Sequence, residues 1–169
     1  MSVNKDRPHV LVLPEDAANR QIAVGFSLCL DFYVQRQMQV LNEVGGWTKV
    51  LSTFESDHIA MMDRTPNRNL ILLIDFDDQP ERLGEAQSRI PERLRERVFI
   101  LGALSTPERL KNALGTYEQI GTRLAESCRS ESDAIWEHEL LRHNAGQLTR
   151  LRERVRPILF GSHALAADD

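Results

Sequence analysis

The stretch Leu70-Ile71-Leu72-Leu73-Ile74-Asp75-Phe76-Asp77-Asp78 runs five apolar residues into three carboxylates broken by a single Phe. An apolar run of that length suits a strand buried on both faces, and such strands form the interior of parallel sheets. The acidic end then lies where a central strand emerges. In open α/β sheets that is the edge at which ligands bind.

Working outward, residues 9–13 (HVLVL) read as a second short apolar strand, stopped by Pro14-Glu15-Asp16. From Ala17 onward Ala18, Ile22, Phe26, Cys29 and Leu30 recur at helical spacing, so Glu15 and Asp16 fall at a strand-to-helix junction. Carboxylates there also suit a helix cap and the positive end of the helix dipole. Residues 34–41 alternate, with Val34, Arg36, Met38 and Val40 on one face and Gln35, Gln37 and Gln39 on the other, which predicts a half-polar edge strand. After Gly45-Gly46, Trp47, Val50, Leu51, Phe54, His58, Met61 and Met62 mark one face of a helix, which makes His58 a packed or boundary histidine.

Downstream of the acidic cluster, Pro80 opens a polar helical stretch divided by Pro91. Its charges, from Glu81 and Arg82 to Glu96 and Arg97, alternate in sign and read as a solvated face. Residues 98–104 (VFILGAL) predict a fourth strand, and Thr106-Pro107 a helix start with Thr106 as N-cap. Gly115 separates a short helix from one over 117–128. A polar break at 130–133 precedes a largely helical pattern over 136–160, ended or kinked near Pro157.

Strands alternating with helices predict an α/β fold of Rossmann-like, doubly wound type: a four-stranded parallel sheet in the order 2-1-3-4 with extra C-terminal helices. That order puts the polar strand at an edge. One domain is expected over 1–169, with a core over 8–105, helices over 106–162 packing on it and a frayed tail over 163–169.

With 169 residues, 41% hydrophobic and 27% charged, the chain is long enough for one well-filled core. Its net charge of -4 gives no global electrostatic footprint for nucleic acid. Cys29 and Cys128 lack metal-ligand spacing. No apolar run approaches the ~18 residues of a membrane span, and no signal-type core follows the N-terminus, so no membrane association and a cytoplasmic location are expected.

The same topology opens the carboxyl ends of strands one and three side by side, bringing Glu15 and Asp16 next to Asp75, Asp77 and Asp78. Carboxylates crowded in one crevice repel one another unless a cation neutralises them. A hard ion such as Mg²⁺ (or Mn²⁺) suits the site, because it takes one or two carboxylates and keeps water or phosphate oxygens elsewhere. Asp77 and Asp78, ahead of Pro80, equally suit a helix cap. Lys49 and Arg20 are candidate phosphate contacts, and Trp47 suits either a base stack or the core. His138 and His143, five apart, diverge on a regular helix; either serves as acid or base only if the C-terminal helices fold over the crevice.

A glutamate after the first strand (Glu15) and an Asp-x-Asp after the third (Asp75-Phe76-Asp77) resemble the topoisomerase and primase type domain, TOPRIM, over residues 8–105. The resemblance implies that Glu15, Asp75 and Asp77 are the Mg²⁺-binding and catalytic set, with Glu15 also a general acid or base; Asp78, next along the chain, is read from its position as an outer acceptor. The resemblance also implies phosphodiester chemistry on DNA or RNA, as in the small nucleases and OLD-type phage-defence proteins of that family. Two other readings stand beside it. One is a receiver-like module with Asp75 as phosphoacceptor. The other is a catalytically silent subunit binding a protein partner through its C-terminal helices.

Overall fold

The computed structural model describes residues 2–161; the tail expected over 163–169 lies outside them. Its sheet is four-stranded and all parallel in the order β2-β1-β3-β4, as expected. β1 is His9–Pro14, β2 Met38–Val40, β3 Arg68–Leu73 and β4 Val98–Leu101. The central pair is in register from His9 opposite Arg68 to Pro14 opposite Leu73.

The two faces differ. Leu11, Leu13, Leu70, Leu72, Ile74, Val98 and Ile100 face helices α2 (Trp47–Thr53), α3 (Ile59–Arg64) and α4 (Arg82–Ser88), and pack with Phe54, Met62 and Leu94 into one continuous core. Residues of the opposite parity, Val10, Val12, Ile71, Leu73 and Phe99, face α1 (Ala17–Ser27), α6 (Tyr117–Ser130), α7 (Ala145–Arg154) and α8 (Arg156–Phe160). α5 (Pro107–Leu114) starts as its sequence predicts, with Thr106 as N-cap and Pro107 in the first turn. Among the described residues no helix is long and apolar enough to cross a membrane.

Several elements depart from the sequence expectations. The predicted edge strand over 34–41 is a 3-10 helix, Phe32–Gln37, followed by only three strand residues. Val34 and Met38 are four apart, a spacing that serves a helical turn as well as an alternating strand. The turn is drawn onto the sheet's lower end, where the Arg36 carbonyl accepts from Asn4 N–H and Gln37 donates to the Pro8 carbonyl. The helix after Gly46 contains a π turn, Phe54–His58, which carries the half-buried His58. The helical pattern over 136–160 starts instead as two 3-10 turns, Ala134–Glu137 and Arg142–Asn144. Between them the chain leaves helical geometry because Leu104 N–H donates to the Leu140 carbonyl and Asn144 bonds Gly102.

The charged stretch after Pro80 is not a simple solvated face either. Arg89 and Arg93 pair across to Glu55 and Asp63 on the neighbouring helical layer, and Arg82 is buried.

Candidate functional site

Parallel pairing of β1 with β3 sets the site. Glu15 N–H donates to the Leu73 carbonyl, 2.9 Å, and Asp75 N–H donates to Glu15 Oε2, 2.7 Å. The Glu15 carboxylate therefore meets the Asp75 backbone, sixty positions away, at the switch point.

Asp16 is the N-cap of α1, its Oδ1 accepting from Asn19 N–H at 2.8 Å. The cap fixes Asn19 one turn into the helix, and Asn19 Nδ2 donates to Asp75 Oδ2 at 3.1 Å. Asp75 is only 4% exposed, and its Oδ1 is buried without a hydrogen-bond donor. The Asp16 and Glu15 carboxylates lie near enough for their charges to act on it. Burial, then the charges of Asp16 and Glu15, push the Asp75 pKa up to about 8, so its carboxyl holds a proton at neutral pH. Glu15 is also raised, mainly by burial, with the Asp75 N–H pulling the other way.

Asp77 and Asp78 diverge from Asp75. Both adopt left-handed backbone, φ 47° and 58°, where the chain turns out of the sheet. Asp77 pairs with Arg82, Nη1 to Oδ2 2.9 Å, and the same Nη1 donates to the Asp75 carbonyl at 2.8 Å. The Arg82 guanidinium lies over the Trp47 ring, 4.7 Å from its centroid, so Trp47 packs on the core and carries a cation rather than presenting an open stacking face. Asp78 accepts from Ser105 Oγ at 3.0 Å, with Arg109 3.5 Å from its other oxygen. Neither aspartate caps a helix: α4 starts at Arg82 behind Glu81, which makes no side-chain cap bond.

The ligand set Glu15, Asp75, Asp77 and Asp78 is thus not gathered into one cluster; among the described residues no three His, Cys, Asp or Glu side chains converge on a metal position. Asp75 with Asp16 remains. A buried carboxylate oxygen lacking a donor beside a second carboxylate matches the one or two carboxylates Mg²⁺ takes.

At the rim, the Gly45-Gly46 turn sits beside Glu15, whose carbonyl accepts from Gly45 N–H at 2.8 Å. Lys49 is exposed on the helix that follows, and Arg20 pairs with Glu43 at 3.6 Å. The C-terminal segment does fold onto the β3 and β4 ends. His143 rests edge-on against Phe76, 4.7 Å between ring centroids, and burial lowers its pKa. His138 is used locally, Nδ1 accepting from Leu140 N–H.

Sequence reasoning missed Asn19, Arg82, Ser105 and Arg109. Asn19 was signalled by its place three residues after the capping Asp16. Arg82 was hidden in an alternating charge pattern that does not reveal which member points inward. No protein-family model, curated protein or solved structure matches this chain.

Proposed function

We propose that the crevice of Asp16, Asp75 and Glu15 is a divalent-cation site for phosphoryl chemistry, with a phosphodiester of DNA or RNA as its substrate class and Mg²⁺ or Mn²⁺ as its ion. The carrying observation is Asp75: a carboxyl 4% exposed, with a donorless oxygen beside a second carboxylate, is an arrangement that a cation relieves. The resemblance of Glu15 and Asp75-Phe76-Asp77 to the TOPRIM motif supports the same reading.

Asp75 and Asp16 would hold the ion, and when bound such an ion polarises a phosphoryl oxygen and acidifies water. Glu15, its pKa raised by burial, can take up or release a proton nearer neutrality than an exposed glutamate. Its bond to Asp75 N–H keeps it fixed while it does so. Arg82 locks Asp77 away from the ion, and Arg20, Lys49 and Arg109 are the cations available to phosphates at the rim.

Calorimetric Mn²⁺ titration should show saturable binding that Asp75→Asn removes and that tightens as pH rises through about 8, because the ion must displace the Asp75 proton. Labelled single- and double-stranded DNA and RNA should be cut with Mn²⁺ by the wild type and not by Asp75→Asn. Intact substrate throughout would sink the nuclease reading. Acetyl phosphate labelling abolished by Asp75→Asn would replace it with the receiver-like one, which the burial of Asp75 disfavours.

A further inference from the structure

The end of the sheet away from the acidic crevice buries a cation without a counterion. His9 is wholly buried, and Arg68, opposite it in the first register pair of β1 and β3, is 5% exposed. Arg68 Nε donates to His9 Nε2 at 3.2 Å, and His9 Nδ1 bonds the Arg7 carbonyl at 2.8 Å. A guanidinium Nε always carries hydrogen and a carbonyl only accepts, so the two bonds together require a neutral ring with its proton on Nδ1. None of the ion pairs among the described residues includes Arg68.

Both charges that act on His9 are positive. Burial, then Arg68 from β3 and Lys5 from the chain before β1, lower its pKa against the single bond to the Arg7 carbonyl. From the helical layer His58 lies in the field of the same guanidinium. Burial lowers the His58 pKa, Asp57 opposes, and Arg68 lowers it further, while its Nδ1 is buried without a partner. The chain before His9 closes over this end: Val3 is buried in the core on the face that carries Leu11 and, by parity, His9. Outside that segment it is tied by Asn4 N–H to the Arg36 carbonyl, and by Gln37 and Asn67 side chains to the Pro8 and Asp6 carbonyls at 3.3 and 3.4 Å.

A proton added at His9 Nε2 sets N–H against N–H beside a cation withdrawn from water, with no carboxylate to share. From this geometry we infer that His9 and Arg68 form an acid-sensitive latch: protonation of His9 breaks the pair and releases residues 2–8 from this end of the sheet. An ordinary histidine charges below about 6.5, whereas the folded pair admits only the neutral ring. The latch therefore holds in full above about pH 6.5 and gives way as pH falls below it. Asp75 acts in the opposite sense, adding global stability toward acid, so the opening is read locally.

Hydrogen exchange of the full chain, followed by mass spectrometry and corrected for the intrinsic effect of pH, reads that opening. Residues 2–8 should be about tenfold more open at pH 5 than at pH 7.5. His9→Gln, whose amide can accept from Arg68 and donate to Arg7 without titrating, should remove the difference. In ring nitrogen-15 spectra wild-type His9 should be the neutral Nδ1–H form at pH 7 and take up its proton well below the ordinary histidine range. Arg68→Met, which removes the guanidinium and keeps an apolar stem, should move that uptake to higher pH. The inference is overturned if exchange over residues 2–8 is the same at both pH values, if His9→Gln responds as the wild type does, or if Arg68→Met leaves the His9 titration unmoved.

Discussion

At the scale of a residue, Asp75 is where burial and the charges of the crevice meet. It sits on the strip Ile71, Leu73, Asp75 that lines one face of β3, so the side chain that ends an apolar row is turned under α1 rather than out to water. Its pKa near 8 in the folded chain, against about 3.9 for a free aspartate, means that the folded chain holds a proton the unfolded chain has released. Stability should therefore fall as pH rises from about 4 to about 8 and level off above. Asp75→Asn keeps the shape and removes the ionisation. Urea denaturation at pH 5, 7 and 8.5 should find the variant increasingly more stable than the wild type across that range, by a few kcal/mol at the top. A gain independent of pH would refute the assignment of that proton to Asp75.

Two contacts control how the elements are held. α1 and α6 cross through Gly25 and Gly121, where a Cβ on either helix would overlap backbone of the other. Alanine raises helix propensity by about 1 kcal/mol, but backbone cannot step aside as a side chain can, so overpacking wins. Gly121→Ala should lower stability by about 1–3 kcal/mol in denaturant titration. Gly84, in α4 with nothing near its missing Cβ, is the control; Gly84→Ala should instead stabilise by about 0.5–1 kcal/mol. The second contact closes the outer edge of β4. Phe76 N–H donates to the Ala103 carbonyl, so Gly102 presents its own groups outward, and the Asn144 amide accepts from its N–H and donates to its carbonyl. A side chain stands where a fifth strand would pair. Asn144→Ala leaves both groups buried and unpaired and should cost about 1–3 kcal/mol for each, measurable as a shift in the urea midpoint and as faster hydrogen exchange at Gly102.

The whole molecule is a sheet with one dense face and one hollow face, and its response to truncation should differ accordingly. Leu72 is wholly buried against the continuous core, while Ile71 already borders empty space. Leu72→Ala should cost about 2–5 kcal/mol. Ile71→Ala removes less buried area and should cost at least about 1 kcal/mol less; equal losses in denaturant titration would show the second face to be as tightly packed as the first. The hollow and the acidic crevice share α1, since Asn19 lines the one and donates to Asp75 in the other.

Much of this was legible in the sequence. The run from Leu70 to Ile74, the short HVLVL strand and the alternation of strand and helix determine a parallel sheet, and strand order follows from burial and chain connectivity. They also place Glu15 beside Asp75, because adjacent parallel strands end together. Periodicity could not separate a 3-10 turn from a strand over residues 34–38, where both patterns coincide, nor foresee that Leu104 and Gly102 would draw residues 138–144 out of helical form. It could not tell which carboxylates end up side by side. That depended on the left-handed turn at Asp77 and Asp78, on Arg82 folding inward over Trp47, and on the cap that aims Asn19 at Asp75. Local sequence determines where a carboxylate leaves the sheet; the competition among its neighbours in space decides which way it points.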